Sequence, residues 1–191
     1  MPGVSPSELF AYGQIYAAEG GNTKDPLGSA SSGILQKTLD SARGRMPGLL
    51  GVKTPSNLTP DQRAAIYRDY INQALARVGG YQALSGIGND YAAAVLADVL
   101  YRDGTTGGAN IVRAAINQIS PNSVTPTGRI DQATLDIVAR LASAPAGLAQ
   151  FLKAIGDMRR AQDQRRSRLL LLQGETGIPP RSGAGISFCT R

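Results

Sequence analysis

Two four-residue signals dictate where this chain must become helical. Ser5-Pro6-Ser7-Glu8 and Thr59-Pro60-Asp61-Gln62 each place a hydroxyl residue before a proline, with Glu or Gln three positions after the hydroxyl. In such a capping box the hydroxyl accepts from the backbone amide three residues on. The Glu or Gln side chain returns the bond, and proline's fixed φ suits the first helical position. Apolar residues at helical spacing follow both signals. After the first come Leu9, Tyr12 and Tyr16, and Gly20-Gly21 ends the helix through the left-handed turn that glycine accepts. After the second, Tyr67, Ile71, Leu75 and Val78 line one face.

The same reasoning extends along the chain. A short helix is expected from near Ser32 past Leu39, and the Gly/Pro-rich residues 44–58 read as a loop. Asp90 is expected to cap a helix whose run from Ala92 to Leu100 is apolar on most sides, which predicts a buried central helix. Gly104 to Gly108 reads as a turn into a helix over 109–119. It has neither a preceding strand nor the Lys-Ser/Thr pair of a phosphate cradle. Ser120 to Ile130 is a Pro/Gly loop, Asp131 opens a helix to about Ala142, and Pro145 opens the longest, to about Leu172. No stretch sustains the period of two that a half-buried strand requires. The expectation is an all-α fold ending in a basic helix and, from Gly174 on, an extended tail.

Absences narrow the chemistry. The 191 residues contain no His and a single Cys, Cys189. This removes the Ser-His-Asp triad, the Cys-His dyad and His-ligated or multi-thiolate zinc, and no metal or cofactor is expected. The charge is uneven: residues 1–152 carry 12 Lys+Arg against 11 Asp+Glu, whereas residues 153–191 carry 8 against 3. A near-neutral body with a basic end points to a tail that meets an anionic surface, and ranks nucleic-acid binding last. The arginines from Arg159 to Arg168 also read as a solvated helix face paired in part with Asp157 and Asp163. Met1 to Gly20 shows no basic segment followed by an apolar one, so no secretory signal is expected. No run approaches the roughly 18 apolar residues of a membrane span; Leu169 to Leu172 reads as core or interface.

Carboxylates are then the natural acid–base groups. Of the three Glu, Glu8 belongs to a capping box and Glu175 to the flexible tail, leaving Glu19. Glu19 sits in the last turn of its helix, where the dipole penalises a second negative charge and so favours the protonated carboxyl. A glycosidase general acid needs that state. On spacing alone, the favoured reading of Glu19 is a solvated helix-end residue before an ordinary glycine stop.

A wider pattern bears on the choice. Glu19-Gly20-Gly21, Asp25-Pro26, Gly28 to Ile34 and then Thr38-Leu39 resemble the signature of the N-acetylmuramidases of glycoside hydrolase family 108. Leu58 to Tyr70 resembles that family's next helix, and Ala94 to Asp98 with Gly104 its central helix and turn. Gly128, Ile130 and Ala133-Thr134-Leu135 resemble the helical peptidoglycan-binding unit that ends such enzymes. The chain departs from the pattern at Asn22, where an aromatic is usual, at Arg102, where Asn is usual, and in a shorter loop without the second Asp-Pro.

The resemblance, which covers about residues 8–160, implies a lysozyme-like domain over 1–105, a peptidoglycan-binding-like unit over 106–172 packed on it, and a tail over 173–191. It implies a muramidase cutting the β-1,4 bond between N-acetylmuramic acid and N-acetylglucosamine. Glu19 would be the acid, Asp25 a second carboxylate or a loop brace, and Ser31 or Ser32 would line the cleft. Tyr67 and Tyr70 can stack on sugars there or serve the core. The partner would be the glycan strand, reached from the host cytoplasm by holin or by virion delivery. The alternative is a structural component of a phage particle, with weakened or no catalysis, that docks on other virion proteins through the basic tail.

Overall fold

A computed structural model of the chain describes residues 30–31 and 34–175, with side chains over 34–165. The described part is helical apart from one minimal hairpin. β1 (Ala30–Ser31) pairs antiparallel with β2 (Ile34–Leu35), Ala30 facing Leu35 and Ser31 facing Ile34. The helix expected near Ser32 therefore starts later, as α1 (Gln36–Arg43). Its N-cap, Leu35, offers no side-chain cap, which is why residue type alone misplaced the boundary. α1 buries Leu39 and Ala42.

Residues 44–58, expected as a loop, contain two proline-led 3-10 turns, Pro47–Leu49 and Pro55–Asn57. Arg43 folds this segment back onto α1. Its guanidinium donates to the Val52 carbonyl and, at 2.8 Å, to that of Lys53. α2 (Pro60–Ala74) opens with the expected capping box: Thr59 Oγ1 accepts from the Gln62 amide at 3.2 Å, and Gln62 Oε1 accepts from the Thr59 amide at 3.0 Å. Tyr67, Ile71 and Leu75 are buried as the spacing predicts, while Val78 lies beyond the helix in a 3-10 turn, Ala76–Val78. An eight-residue 3-10 stretch, Gly80–Ile87, follows. It exceeds the usual three or four residues and has no signal in the sequence pattern.

α3 (Asp90–Arg102) is the central helix. Seven of its residues, including Leu96, Val99 and Leu100, are buried. Each large one contributes about 1.5–3 kcal/mol by leaving water. The cap falls one residue earlier than expected: Asn89 Oδ1 accepts from the Ala92 amide at 3.0 Å. Asp90 instead sits in the first turn, where its charge complements the dipole. α4 (Thr105–Ile119) also starts earlier than expected, so Gly107 and Gly108 are helical, not a turn. Their reason is packing. A Cβ at Gly108 would stand 2.6 Å from the Val99 carbonyl oxygen and 2.9 Å from Leu100 Cα. The glycine lets α4 press against the end of α3, and Gly104, at φ +78°, makes the turn alone.

α5 (Gln132–Ala142) is capped by Asp131, and α6 (Pro145–Glu175) runs 31 residues. α4 packs on α3 and α6, and α5 packs on α6. One cluster of buried side chains extends from Ile34 to Ile155, drawing on elements from both sides of residue 105. α6 buries Phe151, Ala154 and Ile155, and its burial fades until Asp163, Gln164 and Arg165 are exposed. No described helix is long and apolar enough to cross a membrane.

Candidate functional site

Of the residues singled out for chemistry, Glu19, Asp25 and Ser32 lie outside the described residues. Ser31 is placed by its backbone in β1, opposite Ile34, while its side chain also lies outside. Tyr67 and Tyr70 are described, and both meet Tyr101 at the end of α3. The Tyr67 and Tyr101 rings are 4.8 Å apart at 82°, and those of Tyr70 and Tyr101 are 5.3 Å apart at 71°. These are edge-to-face contacts, the arrangement that ring quadrupoles favour.

The two tyrosines part company in burial. Tyr67 is 2% exposed and belongs to the core, the second of the roles weighed for it; a sugar cannot reach its ring. Tyr70 is half-buried beside the α3–α4 turn. A side-chain carbon at Gly104 would stand 3.8 Å from its hydroxyl. Burial pushes the Tyr70 pKa up, against the opposing hydrogen bond from the Thr105 backbone.

Below this corner lies a cluster of charge that α6 completes. Arg159 Nη1 donates to Asp98 Oδ2 at 2.6 Å, and Arg159 Nε donates to Asp103 Oδ2 at 3.0 Å. Burial alone would lower the Arg159 pKa, but the charges of Asp98 and then Asp103 outweigh it and hold the guanidinium ionised. The pairing is incomplete. Asp98 Oδ1 and Arg159 Nη2 are buried without a hydrogen-bond partner among the described residues. This corrects the reading of the arginine run as a solvated face throughout: Arg159 turns inward. Arg160 does pair with Asp157, which Lys153 also reaches at 2.8 Å. Lys153 first and Arg160 next hold the Asp157 carboxyl below its usual range, with burial opposing. Asp163 and Arg165 are exposed.

A second cluster secures the Ser120–Ile130 loop, where the peptidoglycan-binding-like residues lie. Arg113, on α4, is 2% exposed. Its Nε donates to the Arg129 carbonyl at 2.7 Å, its Nη1 to that of Thr125, and its Nη2 to Asp131 Oδ2 at 2.7 Å. One turn on, Asn117 grips Val124 by both backbone groups: Nδ2 donates to its carbonyl at 2.8 Å, and Oδ1 accepts from its amide at 3.0 Å. Gly128 holds φ +65°, and a Cβ there would lie 2.8 Å from Thr106 Cγ2. Asp131 Oδ1 accepts from the Thr134 amide at 2.9 Å and from its hydroxyl at 2.6 Å. The Thr134 hydroxyl first, and Arg113 with it, bring the Asp131 carboxyl down to about 2, with burial opposing. Gly128, Ile130, Thr134 and Leu135 thus shape the loop and start the helix; the last three are buried.

Arg113, Asn117, Tyr101 and Asp103 were not singled out from the sequence. A signal for Arg113 was present: it is the lone charge within the apolar run Ile111 to Ile116 of an amphipathic helix, and a charge on a buried face must find partners. Among the described residues, no group of three His, Cys, Asp or Glu can hold a metal ion. Asp98 and Asp103 are both engaged by Arg159, so the three charges brace the α3–α4 corner beside Tyr70 and do not form an acid–base pair. Comparison with protein-family models, curated proteins and solved structures returns no match for this chain.

Proposed function

We propose that the chain is a peptidoglycan hydrolase, a muramidase of phage type that cuts between N-acetylmuramic acid and N-acetylglucosamine. The observation that carries this reading is the ordered run of Glu19-Gly20-Gly21, Asp25-Pro26 and Gly28 to Ile34, followed by the helix of Leu58 to Tyr70 and then by Asp98 with Gly104. The helical frame is consistent with it. The second of these segments is a capped helix that ends its motif at Tyr70, and Gly104 turns the chain beside that tyrosine.

In this reading Glu19 protonates the glycosidic oxygen as the bond from that oxygen to the anomeric carbon breaks. Water completes the hydrolysis, directly or after a covalent glycosyl intermediate. If Asp25 is the second carboxylate, a separation of roughly 5 Å from Glu19 gives retention and roughly 6.5–9.5 Å gives inversion. The paired state of Asp98 and Asp103 supports assigning the acid outside the α3–α4 corner. Of the two tyrosines weighed for stacking on a sugar, Tyr70 is the one not enclosed in the core. The glycan strand is the partner, reached through holin action or virion delivery.

The departures at Asn22 and Arg102 and in the shortened loop favour a second reading, a structural component of a phage particle that docks through its basic end. Clearing of purified peptidoglycan by the wild type beside Glu19→Gln separates the two. The substitution keeps size and removes the transferable proton, and general acid catalysis contributes about 100- to 10,000-fold. Clearing that falls by about 100-fold or more in the variant supports the enzyme and its acid together. Equal clearing by both proteins moves the chemistry off Glu19. No clearing by either folded protein turns the reading to the particle component, which copurification with virions then tests.

A further inference from the structure

We draw no further inference here: the strongest candidate, the Asp98–Arg159–Asp103 ion cluster between α3 and α6 with its two buried unpartnered atoms, is already accounted for as the brace of the corner beside Tyr70, and nothing in the structure shows a ligand or partner that would complete it.

Discussion

Arg113 and Arg159 both reach across elements to carboxylates, yet their surroundings differ. Around Arg113, two backbone carbonyls and one carboxylate take a bond from each guanidinium nitrogen. Around Arg159, two carboxylates take two of the nitrogens, and the third nitrogen is left with one Asp98 oxygen unmatched. Neutral carbonyls that would otherwise be orphaned cost little to bring to a buried cation. Two anions must first be stripped of water. The first cluster therefore adds to stability. The second fixes where α6 lies against α3 without adding much, because a half-satisfied network forfeits most of its gain.

The sharpest way to break this contrast is Arg113→Met. It strands the Thr125 and Arg129 carbonyls, and a loss of about 3–5 kcal/mol in urea denaturation is expected. A loss below about 1 kcal/mol would show that the loop finds water instead. Arg159→Met should cost less, about 2–3 kcal/mol, since that side chain keeps 23% exposure while two carboxylates lose their cation. The decisive variant adds Asp98→Leu and Asp103→Asn. Stability should return to within about 1 kcal/mol of wild type, because removing a whole buried ion cluster is often neutral. If the triple variant is as weak as the single one, Arg159 and Arg113 are equivalent and the comparison fails.

Gly108→Ala tests the helix crossing that lies between the two clusters. The added methyl meets backbone at Val99 and Leu100, not a flexible side chain. Overpacking of that kind costs about 1–3 kcal/mol. Gly48→Ala, whose added carbon meets nothing within 4 Å, is the control and should change the urea midpoint little.

The smallest effect concerns Asp131. Its carboxyl is brought down from 3.8 to about 2, so its contribution is present above pH 3.8 and disappears as the pH falls through about 2. Its side chain is 54% exposed, and solvent screens much of the effect. The urea midpoints of wild type and Asp131→Asn should differ at pH 5 and converge at pH 2. A difference that persists at pH 2 would assign the contribution to the Thr134 bonds and not to the charge.

What was legible in the sequence was local. Thr59, Asp131 and Pro145 start helices because a cap acts within three or four residues, and the run from Ala92 to Leu100, apolar on most sides, marks α3 as central. Ser32 and the Gly107-Gly108 pair were misread for the opposite reason. A serine caps only if the chain turns helical after it, and a glycine that admits a neighbouring helix looks like a glycine that makes a turn. Tyr67 and Tyr70 lie three residues apart on one helix, and only the position of α3 decides that one is enclosed and the other reaches the corner. The inward turn of Arg159 depends on partners 56 and 61 residues away, a distance over which residue pattern carries no geometry. Of the proposed cleft, Glu19, Asp25 and Ser32 lie outside the described residues, so that part of the site rests on its motif.

The grip of Asn117 on Val124 has a consequence for how the molecule behaves among copies of itself. An irregular segment whose amide and carbonyl face outward invites another chain to lie alongside and add a strand. Here one carboxamide fills both groups of Val124, doing for a single residue what a neighbouring strand does along a ladder. Both backbone groups of Val124 are thus occupied from within the chain, and a strand added there would have to displace a partner tethered to α4.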